Sequence, residues 1–224
     1  MERGEGGEKM NVLNLYAGIG GNRKLWPKEC QVTAIELNPQ IAATYQKFFP
    51  QDKVITTDAH YYLLKHFEKF DFIWSSPPCP SHSRIRNIAG VGAGQNKPIY
   101  PDMKLYEEII FLNQVFHTSG TKFKGKWVVE NVASYYEPLI KPANVGLHYF
   151  WANFHITPFK TKTRLVRETT KKMSEKIGID LNEIKDISLR KDTLLRNCVE
   201  PELGLHVFNC AFKGKQTNLN EAVT

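Results

Sequence analysis

From Val12 to Glu130 short apolar runs alternate with helical patterns, and that alternation leaves few folds open. Strands are expected at Val12–Tyr16, Val32–Glu36, Lys53–Thr56, Phe70–Ser75 and Trp127–Glu130. Helices are expected at Asn22–Trp26, Pro39–Phe49, Ala59–Phe67 and Asp102–His117, with Pro39 in a first turn and Asp102 as an N-cap. This order predicts an α/β fold: an open, mostly parallel Rossmann-like sheet with helices on both faces and right-handed crossovers. Ligands of such sheets bind outside the carboxyl ends of the strands. Gly18, Glu36, Asp58, Cys79 and Glu130 all fall at those ends, so function is sought there first.

The chain has 224 residues, 42% of them hydrophobic and 12% aromatic, which suits one globular core with a small appendage. No apolar run approaches the roughly 18 residues that span a bilayer, so no membrane role is expected. Residues 1–10 are charged and glycine-rich and read as a flexible lead-in without a signal core, which suggests an intracellular protein. Cys30, Cys79, Cys198 and Cys210 are scattered, with no zinc-site spacing, so neither a metal nor a disulfide framework is expected. The net charge is +7, which favours a polyanionic partner. Between Lys160 and Lys176 seven basic residues face two acidic ones, a pattern suited to phosphate contacts or to a solvated helical face.

Three segments carry chemistry. The first, Tyr16-Ala17-Gly18-Ile19-Gly20-Gly21, is a tight turn after a strand, with backbone open to a ligand. A dinucleotide fingerprint would want a further glycine at position 23, where Arg23 stands. Glu36, with Leu37 beside it, can accept both ribose hydroxyls. Asp58, with Ala59 beside it, can accept from an adenine amino group, although helix capping is a competing role for Asp58. A ribose clamp without a phosphate cradle fits S-adenosylmethionine better than a nicotinamide cofactor. The second segment, Ser76-Pro77-Pro78-Cys79-Pro80-Ser81-His82-Ser83, presents a thiol on a rigid turn, and the third, Trp127-Val128-Val129-Glu130-Asn131-Val132, ends a strand in an acid. Between Pro77 and Pro101 a long loop with Gly90, Gly92 and Gly94 could close as a lid, with Arg84 and Arg86 available to phosphates.

Together these motifs resemble the DNA cytosine-5 methyltransferase family, in the family's order, in the manner of its short bacteriophage-like members. Tyr16–Gly21 matches the cofactor loop, Glu36 the ribose acid, Pro77-Pro78-Cys79 the nucleophile and Glu130-Asn131-Val132 the acid motif. His148–Asn153 looks like the following strand, and Asn197-Cys198-Val199-Glu200-Pro201 like the asparagine motif that returns to the cofactor. The resemblance implies S-adenosylmethionine bound by Tyr16, Ala17, Gly18, Gly20, Gly21, Glu36, Leu37, Asp58, Ala59, Pro77, Asn197 and Val199. It implies catalysis by Cys79, Glu130, Ser83 and His148, and contacts to double-stranded DNA from Arg84, Arg86, Lys162, Arg164 and Arg167. A monomer in the cytoplasm of a bacterial or phage-infected cell is expected. Residues 11–153 would form the catalytic domain, 154–195 a small basic target-recognition region, and 196–224 a segment returning to the catalytic domain.

The chain departs from the family in four places. Pro80 replaces a glutamine, and Arg196 replaces the glycine of the C-terminal motif. The target-recognition region is much shorter than usual. The arginine pair after the acid motif is replaced by Gly146 and His148, so His148 substitutes, Arg164 or Arg167 reaches in, or activity is impaired.

The implied chemistry is addition of the Cys79 thiolate at carbon 6 of a flipped cytosine, with Glu130 managing a proton at ring nitrogen 3, before methyl transfer to carbon 5. Three alternatives stay open: an exocyclic-amino DNA methyltransferase, a tRNA cytosine-5 methyltransferase on the same scaffold, and a catalytically impaired protein that binds DNA or cofactor.

Overall fold

The computed structural model describes residues 9–84, 99–117, 120, 123–161, 168–184 and 188–212. Seven strands, β1 (Asn11–Leu15), β2 (Gln31–Ile35), β3 (Lys53–Ile55), β4 (Phe72–Ser75), β5 (Lys126–Val132), β6 (Ala143–Val145) and β7 (His148–Ala152), form one sheet. Their order is β3-β2-β1-β4-β5-β7-β6. The first five run parallel, while β7 is antiparallel to both β5 and β6. The expected α/β class therefore holds. The chain steps from β1 outward to β3 and then returns to place β4 on the other side of β1. This reversal opens a crevice between the carboxyl ends of β1 and β4, where ligands of such sheets bind.

Alternation along the strands explains how the sheet is covered. Leu13, Leu15, Ile73, Trp127 and Val129 face one side and pack under α2 (Ala59–His66) and α3 (Lys104–His117). Val12, Phe72, Trp74, Val128 and Phe150 face the other and meet Leu203, Val207 and Phe208 of α6 (Pro201–Phe212). There Trp26 stacks on Phe208 with ring centroids 5.3 Å apart. α1 (Pro39–Phe48) covers Ala34 with Tyr45. Strands buried on both faces read as near-continuous apolar runs, which is why they were legible in the sequence. Asn38, which accepts from the N–H groups of Gln40 and Ile41, caps α1.

The expected helix at Asn22–Trp26 is instead a run of turns. Arg23 explains the difference. Its guanidinium is buried, with Nε donating to Asp52 Oδ2 at 3.0 Å, Nη2 to Asp52 Oδ1 at 3.2 Å and Nη1 to the Trp26 carbonyl. The Tyr45 hydroxyl donates to the same carboxylate at 2.8 Å. The side chain expected to replace a phosphate-binding glycine therefore locks the turn to the loop before β3.

The described part of the basic region does not stand apart. α4 (Thr170–Ile177) and α5 (Lys191–Arg196) bury Met173, Ile177 and Leu195 against Ile19 of the glycine turn. Lys176 is paired with Glu168.

Candidate active site

The loop after β1 has an unusual backbone. Tyr16 has φ +54° and Gly18 φ +55°, and Tyr16 is the positive-φ non-glycine residue recorded among the described residues. A Cβ built on Gly18 meets nothing within 4 Å, so this turn faces open space. Glu36, at the end of β2, reaches across: Oε2 accepts from Gly18 N at 3.0 Å and Oε1 from Asn38 N at 2.9 Å. Each oxygen keeps further acceptor capacity for ribose hydroxyls. Leu37 is exposed beside it, an apolar surface for a flat ring. Asp58 caps α2 through Oδ1, which accepts from Tyr61 N at 2.8 Å, while Oδ2 lies 3.9 Å from Lys104 Nζ. Capping thus uses one oxygen of Asp58 and leaves the other at the rim. Ala59 is buried beneath it.

Gly20 and Gly21 play a different part from Gly18. A Cβ at Gly20 would lie 2.3 Å from Phe49, and one at Gly21 would lie 2.6 Å from both Cys198 Cβ and the Val199 carbonyl oxygen. These glycines let the turn sit against α1 and against the C-terminal motif. Val199 is buried in the core beside α6, and Asn197 is exposed at the end of α5.

The loop that carries Cys79 follows β4. Pro77 is buried, and its carbonyl accepts from Asn131 Nδ2 at 3.0 Å. Asn131, itself 2% exposed, thus ties the Pro-Pro-Cys turn to the neighbouring acid strand. The Cys79 carbonyl accepts from the N–H groups of His82 and Ser83, closing the turn. Burial, and then the nearby Glu130 carboxylate, push the Cys79 thiol up to about 11. At neutral pH it rests as a thiol.

Antiparallel pairing sets the acid. β5 runs on to Val132 because β7 folds back on it, pairing Glu130 with Phe150 and Val132 with His148. Glu130 and His148 are then diagonal neighbours on one face of the sheet. His148 Nδ1 lies 2.7 Å from Glu130 Oε1, and the carboxylate is nearly enclosed. Where the resemblance calls for arginine, the group touching Glu130 is this imidazole. Arg164 and Arg167, the other candidates, lie outside the described residues, as do Arg86 and Lys162.

Arg84, expected on phosphates, is spent in part on the fold: Nε donates to the Ser134 carbonyl at 2.7 Å and Nη2 to Tyr149 OH at 3.5 Å. Ser83 pairs with Ser134 in an isolated bridge. The buried His82 ring meets Tyr136 OH at 2.6 Å. The turn after Cys79 is therefore clamped to the segment after β5.

The sheet's reversal point, the Glu36 carboxylate and a thiol near the enclosed Glu130 carboxylate lie at one edge of a Rossmann-like fold. The residues fit S-adenosylmethionine: Gly18 leaves room for close backbone approach, and Glu36 is held ready as an acceptor. Residues 10–110 match the family described as C-5 cytosine-specific DNA methylase. Over 155 residues the chain is 27% identical to the tRNA (cytosine(38)-C(5))-methyltransferase of Homo sapiens, covering 62% of this chain and 40% of that protein. The enzyme of the same name from Mus musculus is 28% identical, with 62% and 37% covered. The chain thus spans well under half the length of these curated relatives. Among solved structures, a Spodoptera frugiperda DNMT2 mutant is 22% identical, with 55% of this chain and 35% of that chain covered at a TM-score of 0.34. A putative DNA modification methyltransferase from an Escherichia coli prophage is 20% identical, with 56% and 32% covered, also at 0.34. The family match covers somewhat less than half of the chain and, with the fold, indicates S-adenosylmethionine as the cofactor.

Proposed function

We propose that the protein methylates carbon 5 of a cytosine flipped out of duplex DNA, using S-adenosylmethionine and a transient bond from Cys79 Sγ to carbon 6. The observation that carries this reading is the joint mouth of β4 and β5. There Asn131 anchors the Pro77 carbonyl, and the Glu130 charge acts on the Cys79 thiol. Bound S-adenosylmethionine would supply a methyl group activated by a sulfonium. The residues of the chain do the rest. Cys79 gives up its proton to solvent and bonds to carbon 6, moving the 5,6 double-bond electron pair toward carbon 5. Glu130, oriented by His148, holds a proton at nitrogen 3 and so balances that shift. This relieves part of the high thiol pKa: burial is its larger cause, and once Glu130 shares a proton with the base the carboxylate charge that adds to it is diminished. After methylation solvent takes the carbon 5 proton, the freed pair re-forms the 5,6 double bond, and the carbon 6–sulfur bond breaks with its electron pair returning to sulfur. The net charge of +7 suits a nucleic-acid partner.

A second reading, transfer to tRNA, is favoured by the names of the curated relatives. Side-by-side transfer of a tritiated methyl group to duplex DNA and to tRNA separates the two. In either case Cys79→Ala should abolish transfer while leaving S-adenosylmethionine binding within about twofold, because the thiol acts on the base. Glu36→Ala should weaken cofactor binding by more than about tenfold, since it removes both ribose acceptors and the Gly18 tether. Label on DNA alone supports the first reading and label on tRNA alone the second. Substantial transfer by Cys79→Ala sinks the covalent mechanism in both.

A further inference from the structure

α3 presents Leu105, Ile109 and Leu112 to the core, and helical spacing places Glu108 on the same stripe. Its side chain has no solvent exposure. Three donors from three different elements converge on it. The Tyr16 hydroxyl donates to Oε1 at 2.6 Å, Ser75 Oγ donates to Oε2 at 2.5 Å, and His60 Nδ1 lies 3.0 Å from Oε1. Tyr16 opens the cofactor loop, Ser75 is the last residue of the strand leading to Cys79, and His60 sits in the first turn of α2 beside Asp58. The other ring nitrogen of His60 lies 3.3 Å from Glu107 at the surface.

A buried carboxylate is costly, and a well-packed apolar side chain of similar size usually serves stability as well or better. Core packing alone therefore does not account for Glu108. Its partners do, because two of them adjoin the two halves of the crevice. Tyr16 holds a positive-φ backbone that is unfavourable for a non-glycine residue, and its hydroxyl bond to Glu108 opposes relaxation of that turn. We propose that Glu108 is a positioning residue that fixes the cofactor loop, through Tyr16, in register with the nucleophile strand, through Ser75. His60 at the rim closes the hydrogen-bond set. Burial and the Glu108 charge push the Tyr16 phenol strongly upward, so it remains a donor. The inference rests on the cofactor reading of the Gly18 loop but not on the choice of nucleic acid.

The test is calorimetric titration of the full chain with S-adenosylmethionine, with thermal unfolding recorded in parallel. Tyr16→Phe, which deletes one hydroxyl, and Glu108→Gln, which preserves shape, should each raise the dissociation constant about tenfold, the size of one charge-assisted hydrogen bond. The double variant should be no worse than the weaker-binding single variant, because both break one link. Ser75→Ala should leave cofactor affinity nearly unchanged and lower the single-turnover methylation rate. Unchanged affinity in both Tyr16→Phe and Glu108→Gln overturns the proposal. So does multiplication of their effects to about a hundredfold, which is the signature of independent sites. If Glu108→Gln does not fold, Tyr16→Phe alone decides: a lowered melting temperature with unchanged affinity means a structural role only. If the wild-type chain does not bind S-adenosylmethionine, the cofactor reading itself falls, and this inference with it.

Discussion

Cys79 and Glu130 are coupled through space, and the coupling makes an unusual demand on chemistry. Burial is the larger cause of the raised thiol and the Glu130 carboxylate the next. Below a pKa of about 11 the thiolate fraction grows about tenfold per pH unit, so iodoacetamide should modify resting Cys79 slowly at pH 7 and about tenfold faster at pH 8. Glu130→Gln removes the opposing charge and lowers the thiol pKa. That variant should alkylate at Cys79 faster than wild type at every pH between 7 and 9, while its methyl transfer becomes slower. Mass spectrometry of the Cys79 peptide resolves this site from Cys210, which is also partly exposed. Equal alkylation rates in the two proteins would mean that the carboxylate does not act on the sulfur. His148 belongs to the same pair of strands, and it was visible in the sequence as the residue at a place where the family carries arginine. Glu108 was visible only as a polar residue at an apolar position of α3. Its partners lie 92, 48 and 33 positions away, and periodicity has no reach over such separations.

Among the elements, the parallel strands were legible because burial on both faces writes them as apolar runs. β6, short and with two of its three residues exposed, leaves no such trace. The turns at Asn22–Trp26 were misread because the sequence does not reveal that Arg23 points into the core at Asp52. The three glycines of the loop after β1 look alike in sequence and differ in the fold. Gly18 faces open space, and Gly21 faces Cys198 and Val199. Alanine should separate them. Gly21→Ala places a methyl group 2.6 Å from the Val199 carbonyl oxygen and from Cys198 Cβ, so the turn and the C-terminal motif must part. Overpacking of this kind costs about 1–3 kcal/mol, and a melting temperature lower by roughly 3–10 °C is expected. Gly18→Ala meets no clash but strains a φ of +55°, so it should lower stability by roughly 1 kcal/mol and weaken cofactor affinity as well, since its new methyl group faces open space. A Gly21→Ala protein as stable as wild type would show that the motif at Cys198 does not need this close approach.

At the scale of the whole molecule, the end of the described chain completes a core begun at its start. Residues 10–110 carry the family match, yet one face of β1 and β4 is covered by α6, about a hundred residues further on. Trp26 stacks on Phe208, Phe72 meets both Phe208 and Phe212, and Trp26 Nε1 donates to the Gly204 carbonyl at 3.2 Å. Gly204 permits that approach, since a Cβ there would lie 2.5 Å from the Asn22 carbonyl oxygen. The helix therefore braces the turn after β1 from behind as well as sealing the core. Leu203, Val207 and Phe208 are each nearly or fully enclosed. Losing three such side chains at about 2–5 kcal/mol apiece rivals the roughly 5–15 kcal/mol that holds a domain folded. Truncation after Glu200 should abolish the cooperative thermal transition and the near-ultraviolet circular dichroism of the tryptophans. Truncation after Phe212 keeps every described residue of that cluster and should retain a cooperative thermal transition. A chain cut at Glu200 that still melts cooperatively and binds S-adenosylmethionine would mean that the family-matched segment stands without α6.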